Sequence, residues 1–200
     1  CVESVSWARE ILVVEDGSID ETREIAAAAG AQVIANPFVT IGLQRNAAIE
    51  RAKCAWILVV DADERGSDAL AREIESVISA GSHDAYRVPR TNRFLGREVR
   101  HGGWERDKPV RLFRSAIRYN ANRVHESVEV AGTVGEVSAG LVHEPYASLD
   151  SWFEKLRRYS TWWAEDRYER GKRGGIGSVV FRPPLRFLTM YVVLGGFLDG

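Results

Sequence analysis

Short apolar runs ending in charge alternate with longer amphipathic stretches through the first 80 residues. The run at 10–14, EILVV, ends in Glu15-Asp16-Gly17-Ser18, and the run at 56–60, WILVV, ends in Asp61-Ala62-Asp63-Glu64. Aliphatic runs of this length, bounded by charge, are the pattern of buried strands in an α/β sheet. A helix follows the first run from Ser18 through Ala29, opened by hydroxyl and acidic residues and stopped by Gly30. The pattern then predicts a strand at 31–34, a loop at 36–42, a helix at about 43–52, the strand at 56–60 and a helix at about 67–78. Strand–helix alternation of this kind predicts right-handed crossovers and a mostly parallel sheet. After Gly81 the texture changes to shorter strands at 85–88, 110–114 and 127–130 with Gly-rich turns, then an aromatic, charged helix at 148–171. The segment at 179–200 mixes Arg and Pro with aromatic and aliphatic residues, and its apolar part is shorter than the roughly 20 residues of a spanning helix.

Composition narrows the class. Two hundred residues with 45% hydrophobic content suit a single globular domain with a real core. A formal net charge of −1 gives no basic surface for nucleic acid, so no nucleic-acid partner is expected. Cys1 and Cys54 are too few for a disulfide framework and lack zinc-site spacing, which fits a reducing compartment. The chain opens on Cys1 just before a strand, without the regions of a signal peptide, and reads as a piece of a longer protein.

Candidate chemistry gathers at the acidic strand ends. On an extended strand Asp61 and Asp63 point the same way, at the edge where open α/β sheets place ligands. Hard oxygen donors suit Mg²⁺ or Mn²⁺, and that ion suits a diphosphate. Glu15 and Asp16, at the other strand end, are placed to accept hydrogen bonds from a base or ribose. Together the two ends describe a nucleotide-diphosphate site. The blander reading is an acidic turn capping the next helix, a role Ser67 and Asp68 also fit.

These residues carry a resemblance as well. VVEDGSIDETREIA, QRNAAIERA and WILVVDADE, in that order, resemble the nucleotide-binding half of the family 2 glycosyltransferases. RFLGREVRHGGWERDKPVRLFR, RVHESVEVAGTVGEV, LVHEPY and PLRFLTMYVVLGGFLDG resemble the branch containing lipopolysaccharide core β-glucosyltransferases. The resemblance implies an α/β GT-A fold (Rossmann-like, for nucleotide-diphospho-sugar transfer) with the N-terminal strand missing. The implied organisation is a catalytic domain at 1–147, with a nucleotide half at 1–80 and an acceptor half at 81–147. A helical extension follows at 148–200, and its basic-aromatic end reads equally as a membrane-surface element or as an ordinary core or oligomer contact.

The resemblance also implies roles. Glu15 takes the acidic position that reads the nucleoside, with Asp16 beside it; the family more often has Asp there, so reading can pass to Asp16. Arg45 lies near the donor diphosphate and Asn46 shapes that helix start. Asp61 and Asp63 hold nucleotide and metal, Asp63 more directly, with His143 a candidate third ligand. The implied chemistry is inverting displacement at the anomeric carbon, with a carboxylate taking the proton of the acceptor hydroxyl. Glu126 leads as that base, with a salt bridge to one of the many arginines as its equal and blander reading; Asp107 is close behind, and Glu144 is the third candidate. His101 and His125 are candidates for acceptor or phosphate contact, and Trp104, beside two glycines, for stacking on a sugar.

The expected partners are a nucleotide-diphosphate sugar, UDP leading, and a lipid-linked or oligosaccharide acceptor of the cell envelope. Two rivals stand beside this reading: a nucleotidyltransferase acting on sugar phosphates, and a non-catalytic nucleotide-sugar or glycan-binding module. Cytosolic nucleotide sugars and a basic-aromatic C-terminus predict a cytoplasmic protein, peripheral on the inner face of the cytoplasmic membrane.

Overall fold

Side-chain caps set the helix starts in the first half. Thr40 accepts a hydrogen bond from the Leu43 N–H, so the second helix begins two residues earlier than its apolar pattern predicts. Ser67 accepts from the Leu70 N–H, and the helix it opens ends on Gly81 at φ +63°, a left-handed conformation that glycine adopts without strain. The structure is a computed structural model and describes residues 1–122 and 126–199. Its strands are β1 (Leu12–Glu15), β2 (Gln32–Ala35), β3 (Trp56–Leu58), β4 (Glu64–Arg65), β5 (Ala85–Arg87), β6 (Arg90–Phe94), β7 (Arg97–Glu98), β8 (Val110–Arg114), β9 (Val134–Glu136) and β10 (Leu141–His143). Its α-helices are α1 (Thr22–Ala28), α2 (Ile41–Ile49), α3 (Asp68–Ala80), α4 (Leu149–Glu169) and α5 (Ile176–Leu188).

The chain forms two compact units, one of residues 1–89 and 108–142 and one of residues 90–107 and 143–200. In the first, β1 and β2 pair in parallel, as strand–helix–strand order predicts. The main sheet has the order β3-β8-β5-β9 and is mixed rather than mostly parallel. The reason is β8, which inserts antiparallel to both β3 and β5, while β5 and β9 run parallel. Among the described residues, the stretch predicted as a strand at 127–130 contributes a single bridge, Tyr119 to Val128.

Strand alternation sends successive β8 side chains to opposite faces. Leu112 joins Leu70 and Ile74 of α3, with Tyr86, Val88, Val137 and Leu141, in one buried cluster. Phe113 joins Ile49 of α2, Ala85 and Tyr119 in the other. Arg111 is two residues from Phe113, so alternation turns it to the α2 face. Gly42 lets α2 approach closely, because a Cβ there would lie 2.2 Å from the Asn120 carbonyl oxygen. β1 and β3 each pair with one described neighbour, and both line a groove of about 1120 Å³.

In the second unit, β6 and β7 form a hairpin. The loop after it docks onto the C-terminal turn: Leu194 O accepts from the Gly102 N–H at 2.9 Å, and Asp199 accepts from the Arg100 and His101 N–H groups. Ser148 and Ser151 cap α4 reciprocally. α5 continues into a π-helical turn, Thr189–Val193.

Candidate active site

The DAD segment is a turn. β3 ends at Leu58, and the Glu64 N–H donates to the Asp61 carbonyl at 2.9 Å. Asp61 and Asp63 therefore do not follow the strand alternation expected of them, because the chain has already left the sheet. Glu64 closes the turn: its side chain is fully buried, and its carboxylate accepts from the Asp61 N–H at 2.8 Å. Its other oxygen accepts from Arg111 at 3.0 Å.

Asp61 is held by two guanidiniums. Arg45 donates to Oδ1 at 2.6 Å, and Arg111 pairs with Oδ2. Burial pushes the Asp61 pKa up, but Arg111 and Arg45 outweigh it and hold the carboxyl well below the usual carboxylate range. Arg111, 3% exposed, feels the converse: burial lowers its pKa, and Asp61 and Glu64 raise it further. Arg45 spans onward, donating to Glu126 Oε1 at 2.9 Å. Its guanidinium also stacks over Tyr119, 5.0 Å from the ring centroid. Asn46, the next residue of α2, donates to the Tyr119 carbonyl and accepts from the Tyr119 N–H, both at 2.9 Å. The helix carrying Arg45 is thus clipped to the segment beneath it. The result is a continuous chain of charge, Glu64–Arg111–Asp61–Arg45–Glu126, within one unit.

At the end of β1, Glu15 is buried and turned into its own loop. It accepts from the Ser18 N–H at 2.7 Å and pairs with Arg23 at 2.5 Å. The Ser18 N–H bond is the main cause of a pKa below the ordinary value, with Arg23 adding to it and burial opposing. Asp16, one residue on, is exposed.

The acceptor-side candidates lie in the second unit. Asp107 accepts from Asn92 at 3.1 Å and pairs with Arg90 at 3.3 Å. Asn92 is buried, and its Oδ1 lies 2.6 Å from His143 Nδ1. Asp107, Asn92 and His143 thus form one polar line, in which His143 is oriented by an amide. Glu144 pairs with Arg93 at 3.4 Å. His101 Nδ1 lies 2.9 Å from Asp199, and that contact is the main cause of a lowered Asp199 pKa. Trp104 is half-buried at the start of a 3₁₀ turn. His125 lies outside the described residues.

Among the described residues no three His, Cys, Asp or Glu side chains group closely enough to hold a metal by themselves. Both oxygens of Asp61 face guanidiniums, and Asp63 stands two residues further along the same turn. Mg²⁺-like ions are commonly held by one or two carboxylates plus substrate phosphates, and the residues fit that arrangement.

Sequence reasoning missed Arg111 and Glu64. The available signal was an arginine inside the strand VRLFR and an acid directly after the DAD triplet.

Comparison with known proteins agrees with this architecture. The Glycosyl transferase family 2 model matches residues 1–132, and the chain belongs to that family. It is 30% identical to the lipopolysaccharide core biosynthesis glycosyltransferase LpsC of Rhizobium meliloti, over 96% of this chain and 74% of that protein. It is 28% identical to an uncharacterized glycosyltransferase of Rickettsia prowazekii, RP128, over 82% of this chain and 61% of the relative. Among solved structures it resembles S. aureus TarS 1–349 in complex with UDP-GlcNAc, with a TM-score of 0.53 and 16% identity. That match covers 74% of this chain and 54% of the TarS chain, and it shows the GT-A fold.

Proposed function

We propose that the protein is an inverting, metal-dependent glycosyltransferase. It moves a sugar from a nucleoside diphosphate, UDP leading, to a lipid-linked or oligosaccharide acceptor of lipopolysaccharide synthesis. One observation carries the reading: Arg45 joins the DAD turn to Glu126, at 2.6 Å and 2.9 Å. A diphosphate carrier, a cation-binding turn and a candidate base are then parts of one network. The solved relative binds UDP-GlcNAc, which supports a UDP donor, and LpsC supports a lipopolysaccharide acceptor.

In this mechanism Arg45 supplies positive charge beside the donor diphosphate and holds Glu126 in place. Asp61 fixes Arg45 from the other side, and Asp16, exposed at the β1 end, is better placed than Glu15 to read the nucleoside. Glu126 accepts the proton of the acceptor hydroxyl as its oxygen bonds to the anomeric carbon. The bond from that carbon to the diphosphate breaks, its electron pair leaves with UDP, and the configuration inverts. Mg²⁺ or Mn²⁺ bound at Asp63 would neutralise charge on the departing diphosphate.

Turnover of UDP-sugars by the full-length protein tests this reading. After chelation with EDTA, release of UDP should fall to background and return on adding Mn²⁺. Release that is indifferent to EDTA would remove the metal from the account, and release of pyrophosphate would replace the transferase reading with nucleotidyl transfer.

A further inference from the structure

α5 has the composition of a helix that lies in a membrane surface. Ser178, Arg182 and Arg186 are spaced four apart and share one stripe of the helix. The remaining circumference is apolar, and Val179, Val180, Phe181, Leu185 and Phe187 are each more than half exposed. Contiguous apolar surface of this kind on a helix marks an interaction site.

Charge says what the partner is. From Arg170 to Leu198 the sequence holds Arg170, Lys172, Arg173, Arg182 and Arg186 and not one Asp or Glu. α4, directly before it, carries both signs: Asp150, Glu154, Glu165, Asp166 and Glu169 among its basic residues. Between α4 and α5, the basic excess therefore falls on α5 and the turn leading into it. A large apolar sector with basic residues on the polar stripe is the pattern of an interfacial helix on anionic lipid.

Two further features favour the interface over a dry environment. Pro183 and Pro184 stand inside α5 and bring no N–H to the carbonyls of Val179 and Val180. Those carbonyls need water or headgroups, which an interface supplies and hydrocarbon does not. In addition, no helix among the described residues is long and apolar enough to cross a membrane. The helix is also not a loose tail, since the turn after it is tied to the loop at 100–103 through Leu194 and Asp199.

We propose that α5 docks the protein onto a membrane bearing anionic headgroups, its apolar sector entering the interface and Arg182 and Arg186 pairing with lipid phosphates. This goes beyond the transferase reading and does not depend on it.

The test is flotation of the full chain with phosphatidylcholine vesicles, with and without phosphatidylglycerol. The protein should float with the mixed vesicles at low salt and release as salt rises. Arg182→Gln with Arg186→Gln should weaken partition onto mixed vesicles roughly 30-fold, about fivefold for each basic residue. Phe181→Ser, Leu185→Ser and Phe187→Ser together should abolish flotation with either composition. Phe153→Ser with Leu156→Ser, exposed apolar positions of α4, should leave it unchanged. Circular dichroism checks that each variant is folded. Several results overturn the proposal: a folded chain that stays out of both vesicle fractions, α4 substitutions as damaging as those in α5, or a stable dimer that the α5 substitutions dissolve while vesicles leave it intact.

Discussion

Arg111→Met lowers the free energy of unfolding by about 3–5 kcal/mol, the usual cost of removing one partner from a buried ion pair. Arg111 is 3% exposed and serves two carboxylates, Asp61 and the fully buried Glu64. Methionine fills comparable volume but takes the Arg111 guanidinium away from both Asp61 and Glu64. Against the 5–15 kcal/mol of a typical domain, that loss takes much of the stability. Urea unfolding of the two proteins reads it directly. Arg111→Met with Glu64→Leu should recover part of the loss, because the second change removes a buried charge that Arg111 served. A loss under about 1 kcal/mol for the single variant would place this network among surface pairs of little worth.

The same network makes stability depend on pH, with a definite sign. The folded pKa of Asp61 lies below its unfolded value of about 3.9. The contribution is therefore fully present above that pH and is lost as pH falls below it toward the folded value. Asp61→Asn removes this contribution to the acid limb of the stability curve.

Glu126→Gln reduces sugar transfer by about 10²–10⁴-fold, the range a positioned general base contributes. Glutamine keeps the shape and can still accept from Arg45, so donor affinity should stay within a few-fold of the original. A fall in kcat with an unchanged KM for the donor is the expected signature. Asp107→Asn is the control for the other candidate. Asp107 is joined to Asn92 and Arg90. If the asparagine variant loses the larger factor while Glu126→Gln stays active, the base is Asp107.

Much of this was legible in the sequence, for identifiable reasons. The cap Ser67, the stop Gly81 and the apolar spacing of Leu70, Ile74, Val77 and Ile78 specify α3 locally, and the structure agrees to within two residues. The apolar runs ending in Glu15-Asp16 and Asp61-Ala62-Asp63 locate two strand ends approximately: β1 ends at Glu15, and β3 ends at Leu58, two residues before its run does. Side-chain contacts between distant residues were not legible. Arg111 reads as the outward residue of a half-buried strand, and only folding brings it to Asp61 and Glu64, some fifty positions earlier in the chain. The insertion of β8 between β3 and β5 is likewise a matter of long-range pairing. Pro183 and Pro184 argue against a helix by propensity, yet α5 runs through both, with their missing N–H groups facing only the carbonyls one turn back.

The central claim is a UDP–metal site at the DAD turn. Calorimetric titration of UDP into the full-length protein, with and without Mn²⁺ and beside Asp63→Ala, tests it most directly. The account predicts binding that needs Mn²⁺ and disappears in the Asp63→Ala variant while that variant remains folded. Tight UDP binding in both proteins without Mn²⁺ would contradict it.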